Sequence, residues 1–402
     1  MRQSLCPSLN NSVQIQPTRE AVDLRRKRRI EAFPAPSRGA VAKLARLSPA
    51  LEDLADSFPA LLFALATGYG EASARRAALS AVIEGLPLRE AANRLGLPFW
   101  LRKLPAAAFA APLGAAPTEP QLVNRLISLI PTTPAAAAAW LERVLAAHRT
   151  GNAELTLWVA QQYRGAFPAP RSASFLNVLA WAWFAGAGRA LRAGQLLTTR
   201  WSPAIGARRA SSDARLWRER IALLVCLGNG LDDTWLADGK VGDLEFVALR
   251  TADDFIAEAQ AMDNCLDRYA DRILGRAARV FSIRREGRNI ACVEIAVHER
   301  EPGHPVIAQL RGPHNRRAPL EIWQAAYAWL GAQPLRLSDK HLVVKVGPAL
   351  RERRQLEIWQ PLIASLPEHM RDPATAALIG KPARRKARRP VASASVPLPP
   401  PS

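Results

Sequence analysis

Cysteine is scarce in this chain: Cys6, Cys226, Cys265 and Cys292 are the only four in 402 residues. No two stand as a Cys-x-x-Cys pair and the six histidines do not cluster. That spacing speaks against a zinc site, and neither a metal nor a cofactor is expected. So few thiols make no disulfide framework and suit a reducing cytoplasm. Long apolar runs are missing too. The longest charge-free stretch, SASFLNVLAWAWFAGAG between Arg171 and Arg189, carries Asn177 and several small or polar residues. It falls short of the about 20 apolar residues that a membrane span needs, so a buried core helix is expected there and no membrane partner. The first twenty residues are polar and lack an apolar core, so no cleavable signal peptide is expected.

Acidic residues are also in deficit. Asp and Glu number 35 against 55 Lys and Arg, a net charge of +20. Much of the excess is local. Arg25 to Arg29 (RRKRR) and Lys381 to Arg389 (KPARRKARR) hold eleven of those twenty charges. Basic segments of this kind bind polyanions without sequence preference. Nucleic acid is therefore an expected partner, through Arg384, Arg385, Lys386, Arg388 and Arg389; the bland alternative is a solubilising tail. The sequence identifies no protein partner.

The apolar fraction of 49% supports a substantial core, and the length suggests two or three domains. Residues 1–45, with a polar start, the basic cluster and FPAPSRG, read as a disordered basic segment. Residues 46–235 read as a helical domain. Leu51, Leu54, Ala55, Phe58, Leu61, Leu62 and Leu65 recur at helical spacing, and Pro and Gly punctuate the runs that follow. Trp140, Trp158, Trp181, Trp183, Trp201, Trp217 and Trp235 recur along these runs and read as core packing. Residues 236–372 read as an α+β domain and residues 373–402 as a disordered basic, Pro-rich tail. The expected fold is α+β but mostly α: a helical N-terminal bundle, then a small antiparallel three-stranded meander flanked by helices. Its strands are ARVFSIRR, RNIACVEIAV and VIAQLRG, with a hairpin turn at Glu286-Gly287-Arg288-Asn289. Helices are expected over PLEIWQAAYAWLG and from Pro348 to Leu366.

The stretch from Thr251 to Asn315 places polar and reactive side chains inside apolar patterns. On a single helix running to about Arg276, Phe255, Glu258, Ala259, Met262, Cys265, Leu266, Tyr269 and Ile273 share one arc, opposite a solvated Asp263, Asp267, Arg268 and Asp271. A carboxylate in such a stripe needs a partner, and Arg311 is the expected one for Glu258. Alternation puts Cys292 and Glu294 on one face of their strand, and Gln309 and Arg311 on one face of the next. That face either meets solvent or closes a polar pocket with the reactive edge of the helix and the GPHN loop. Cys265 is a candidate nucleophile with His314 and Asn315 nearby, although adjacent His and Asn cannot easily act on one imidazole. A buried structural cysteine is the alternative.

These residues carry a resemblance. Glu258-x-x-x-Met262-x-Asn264-Cys265-Leu266-x-x-Tyr269, then VFSIRR, Val293-Glu294-Ile295 and QLRGPHN, resemble the signature of PcfJ-like proteins in order across Thr251 to Trp329. GLPFWLRKLPAAAF, upstream, is similar to a segment of the longer members. Two positions depart from the pattern: Ala259 follows Glu258 where the family often has Gly, and Asn264 precedes Cys265 where it often has His. The resemblance implies an association with conjugative plasmids and mobile elements but no defined activity.

Three functions follow as expectations. The first is a non-enzymatic accessory or nucleic-acid-associated factor linked to mobile or plasmid DNA. The second is an enzyme, with Cys265, Glu258 and Glu294 as catalytic groups and Tyr269, Gln309, Arg311 and Asn315 completing a polar cluster. The third is a helix-turn-helix regulator. AALSAVIEGLPLREAANRLGLPFWLRKLP could place Arg102 and Lys103 on a recognition helix, although Pro98, Phe99, Trp100 and Pro105 argue for a plain helical hairpin.

Overall fold

The computed structural model describes residues 19–164, 169–231, 233–275, 278–298, 301, 303–333, 337 and 347–379. The chain divides into two compact units, one ending at Pro170 and the next beginning at Arg171. Leu223, Cys226 and Leu227 share a core with Phe255, Met262 and Val280 of the α+β part.

The first unit is helical: α1 Arg19–Glu31, α2 Ala35–Ala45, α3 Pro49–Ser57, α4 Pro59–Thr67, α5 Ala72–Ile83, α6 Leu88–Leu95, α7 Pro120–Ile127, α8 Pro134–Thr150 and α9 Ala153–Gln162. Proline opens α3, α4, α7 and α8, where its missing N–H costs nothing and its fixed φ suits a first turn. The disordered segment expected up to residue 45 gives way to α1 and α2. Phe33 and Val41 are buried in the core. The RRKRR cluster lies on α1, where Arg26 pairs with Glu52 and Arg29 lies 2.6 Å from Asp56. Carboxylates thus offset part of its charge.

The segment considered for DNA reading contains α5 and α6, but no recognition helix follows. Gly96 turns the chain at a φ of 68°, and Phe99–Lys103 is a single 3₁₀ turn ending before Pro105. Trp100 and Leu101 are buried, and the Trp100 indole donates to the Pro117 carbonyl at 2.9 Å. Arg102 donates to the Ser57 carbonyl at 2.8 Å and lies over the Phe99 ring, and Lys103 is exposed beside it.

The second unit contains α10 Ala173–Ala185, α11 Arg192–Gln195, α12 Ala207–Leu227, β1 Gly239–Val241, β2 Leu244–Ala248, α13 Ala252–Met262, α14 Ala270–Leu274, β3 Arg279–Arg285, β4 Arg288–Val297, β5 Pro305–Arg311, α15 Leu320–Gly331, α16 Pro348–Ser365 and α17 Glu368–Ile379. The charge-free stretch forms α10, a core helix. Among the described residues no helix is long and apolar enough to cross a membrane. Indoles pack as expected: Trp217 meets Trp359 edge to face with centroids 5.6 Å apart, against Phe184. Helix α17 buries Ala374 and Leu378, so ordered structure continues beyond residue 372. Arg384, Arg385, Lys386, Arg388 and Arg389 lie outside the described residues.

Among the described residues the sheet has five strands rather than the three expected, all antiparallel in sequence order β1-β2-β3-β4-β5. The α+β class holds. The two unexpected strands form a hairpin with Val241 opposite Leu244 and Gly242 at positive φ in the turn. The anticipated hairpin turn consists of Glu286 and Gly287, both at positive φ, as a two-residue type I′ turn requires. One face of the sheet carries Phe246, Phe281, Ile283, Ala291, Val293, Ile295 and Leu310 and packs on α15, where Phe246 stacks on Trp329. On the opposite face, Val280 and Cys292 pack with Phe255, Ala259, Met262, Leu266 and Ile273, which come from α13 to α14. The sheet is thus sandwiched between helical layers.

Candidate functional site: a polar pocket on the sheet

The single helix expected over residues 255–273 is broken. Helix α13 starts at a capping box, in which the Thr251 hydroxyl accepts from the Asp254 amide and the Asp254 carboxylate accepts from the Thr251 amide. It ends where Asp263 turns left-handed at a φ of 47°. Leu266–Arg268 then forms a 3₁₀ turn before α14. This break redirects the side chains beyond it. Asp267, expected in solvent, is buried, and Arg220 of α12 holds it with 2.9 Å contacts. Cys265, expected in the stripe, is exposed.

Glu258 does not meet Arg311. It is buried against the sheet, where the Asn289 amide donates to it at 2.7 Å and the Cys292 thiol at 3.0 Å. Ser282 also hydrogen-bonds to it. These donors are neutral, and burial pushes the Glu258 carboxyl above its ordinary range. Burial and the neighbouring carboxylate likewise raise the Cys292 thiol well above its usual value. Cys292 therefore serves as a neutral donor, not as a thiolate.

Glu294 is also buried, and both its oxygens are engaged. The Tyr269 hydroxyl donates at 2.8 Å, and the Arg272 guanidinium closes on the other oxygen. Burial raises the Glu294 carboxyl, and burial beside this carboxylate raises the Tyr269 phenol. Arg272 also lies over the Tyr269 ring.

Six of the seven side chains expected to cluster do share one pocket: Cys265, Tyr269, Glu294, Gln309, Arg311 and Asn315 line it, with Asn264 and Cys292. Glu258 stands behind Cys292 rather than at the wall. The register explains this convergence, since Cys292 lies opposite Arg311 and Glu294 opposite Gln309. Asn264 ties the pocket to the helix break: its amide donates to the Cys292 sulfur at 3.6 Å, and its oxygen accepts from the Leu266 amide at 3.0 Å. His314 is not part of the lining. Its Nδ1 is 2.9 Å from the Asp263 carboxylate on the exposed surface, so the Cys265–His314 relay considered from sequence finds a different partner for its imidazole. Sequence spacing assigns no site role to Asn289 or Arg272, whose partners Glu258 and Glu294 lie far along the chain, and it marks Asn264 only as a departure from the family pattern. Among the described residues no group of His, Cys, Asp and Glu could hold a metal ion.

Comparison with family models reaches this same stretch. Residues 236–327 match the PcfJ-like protein family. Comparison with curated proteins and with solved structures returned no match. The PcfJ-like segment runs from just before β1 into α15, so it contains all five described strands, both buried carboxylates and the pocket.

Proposed function

We propose that this protein is a non-enzymatic, nucleic-acid-associated accessory factor that acts in the cytoplasm on mobile or plasmid DNA. The observation that carries this reading is the hydrogen-bond accounting in the pocket of the PcfJ-like segment. Both Glu294 oxygens and the Asn264 side chain are engaged within the protein. The polar groups left over are the Arg311 guanidinium and the amides of Gln309 and Asn315, beside the Cys265 thiol. No carboxylate is left uncommitted in the wall to act as general base, and the nearest imidazole is held by Asp263. The surplus is cationic and donor-rich, in keeping with a net charge of +20 and with the basic segment after residue 380. The link to mobile DNA rests on the PcfJ-like segment alone.

Anisotropy titration of labelled single- and double-stranded DNA into the full chain, and into a chain ending at Ile379, tests this reading. Binding should weaken steeply between 50 and 200 mM salt, by roughly a thousandfold if about six phosphates are contacted. Failure to bind either DNA at low salt refutes the proposal. Equal affinity in the truncated chain removes the C-terminal basic residues from it.

The enzyme reading keeps one observation in its favour, the convergence of Cys265, Tyr269 and Glu294 on one pocket. It requires Glu294 to leave Arg272 and Tyr269. Loss of a measured turnover in Glu294→Gln, with the fold retained, would restore it.

A further inference from the structure

Resting on the nucleic-acid reading above, we infer that the pocket is a phosphate-binding site, with Arg311 supplying the charge and Gln309 and Asn315 supplying amide donors.

Arg311, Gln309 and Asn315 are all exposed at the pocket, and none has a side-chain hydrogen bond or ion pair among the described residues. The local charge balance favours an anion. The Glu294 carboxylate at the wall is matched by Arg272, so Arg311 is left in excess. A guanidinium fork and a planar amide suit the tetrahedral oxygens of a phosphate, and charge-assisted hydrogen bonds are the strong ones. Backbone geometry holds the three groups in place. Gln309 and Arg311 alternate onto the same face of β5, opposite Glu294 and Cys292. The strand then closes a tight loop in which the Gly312 amide donates to the Arg316 carbonyl at 2.9 Å and the Arg316 amide to the Pro313 carbonyl at 3.1 Å. His314 and Asn315 both sit at left-handed φ, which brings Asn315 back to the mouth.

A second cation stands beside the first. Arg311 and Arg317 form an antiparallel bridge, which places their backbones side by side, and Arg316 and Arg317 are exposed without an acidic partner among the described residues. One guanidinium enters the pocket and further arginines flank the same loop. That arrangement fits a phosphate at the pocket with a neighbouring phosphate along a strand, better than it fits a lone carboxylate. No aromatic side chain in the wall is free to stack on a base, since Tyr269 is engaged by Glu294 and Arg272. Recognition is therefore of the phosphate and not of base identity.

The phosphate could belong to a nucleic-acid strand or to a free nucleotide, and calorimetry on the full chain distinguishes the two. The ligands are thymidine 5′-monophosphate, thymidine and an oligothymidylate, at fixed ionic strength, with wild type, Arg311→Ala and Arg311→Lys. Circular dichroism and thermal melting check each fold. The monophosphate should bind and thymidine should not. Arg311→Ala should weaken both phosphate ligands about tenfold or more, and Arg311→Lys less, because charge without the fork is retained. Arg311→Ala should also reduce the salt slope for the oligomer by about 0.7, the value for one lost single-strand phosphate contact. Three outcomes overturn the inference: equal binding of thymidine, no binding of either phosphate ligand, or an Arg311→Ala variant that is folded and unaffected. If the oligomer binds undiminished to Arg311→Ala, the pocket assignment fails and the nucleic-acid reading survives. If only the monophosphate binds, through Arg311, the pocket assignment survives and the nucleic-acid reading fails.

Discussion

The Glu258 carboxylate accepts a hydrogen bond from the Cys292 thiol at 3.0 Å, across the junction of α13 with the sheet. Asn289 and Ser282 supply the remaining donors, and the nearby Arg284 charge offsets the cost of burial only in part. Burial outweighs these groups and raises the Glu258 pKa in the folded state, and this sets the sign of a pH effect. Below the ordinary glutamate range both folded and unfolded chains hold the proton, and the site is neutral to stability. As pH rises from that range to the raised folded value, the unfolded chain has released the proton and the folded chain has not. Stability falls through that window and then levels off. Glu294, also raised by burial, acts in the same direction. Urea midpoints for wild type and Glu258→Gln from pH 4.5 to 8 should show the wild type losing stability relative to the variant as pH rises. A difference independent of pH would show that Glu258 does not titrate in this way.

Arg220 and Asp267 form a buried ion pair between α12 and the 3₁₀ turn that follows the helix break. Removing one partner leaves the other charge buried and unmatched, at a cost of about 3–5 kcal/mol. Asp267→Ala should therefore lower unfolding free energy by about 3 kcal/mol or more, measured by urea denaturation. The double replacement Arg220→Met with Asp267→Leu should recover most of that loss. A double variant no better than Asp267→Ala would mean that the pair contributes chiefly through hydrogen bonds such as the one from Arg220 to the Leu196 carbonyl.

Gly239 of β1 lies against the Trp329 indole. A Cβ at this position would be 2.8 Å from the nearest ring carbon. Trp329 is itself buried and stacked on Phe246, so the ring has little room to yield. Gly239→Ala should destabilise the sheet by about 1–3 kcal/mol, the usual range for overpacking, read as a lowered urea midpoint. An unchanged midpoint would mean that α15 can shift away from β1.

Local signals carried much of this fold, and distant pairings carried the rest. Glu286-Gly287 between alternating apolar runs marked a two-residue hairpin, and alternation put Cys292, Glu294, Gln309 and Arg311 on one face. The short strands Gly239–Val241 and Leu244–Ala248 were missed because three and five residues of alternation scarcely exceed chance, although the Gly242-Asp243 turn between them was a usable signal. The helix break was hidden because Met262, Leu266, Tyr269 and Ile273 keep helical spacing through it. The pair Asp263-Asn264, tolerant of left-handed φ, was the hint that outweighed periodicity. Glu258 was correctly expected to need partners. That these are Asn289, Cys292 and Ser282 rather than Arg311 depends on strand register and on where α13 stops, neither of which sequence spacing reveals. Helices α1 and α2 were overlooked because a basic, Pro-containing segment resembles a disordered one until Glu52 and Asp56 are placed beside it.

The most direct test of the central claim, that the pocket of the PcfJ-like segment takes a phosphate, is a crystal structure of the full chain with a 5′-phosphorylated thymidine dinucleotide. A phosphate oxygen should lie about 3 Å from the Arg311 guanidinium, with the Gln309 and Asn315 amides turned toward it and the Glu294–Arg272 pair intact. Phosphate density elsewhere on the protein with the Arg311 pocket vacant, or Arg272 withdrawn from Glu294 to hold the ligand, would contradict it.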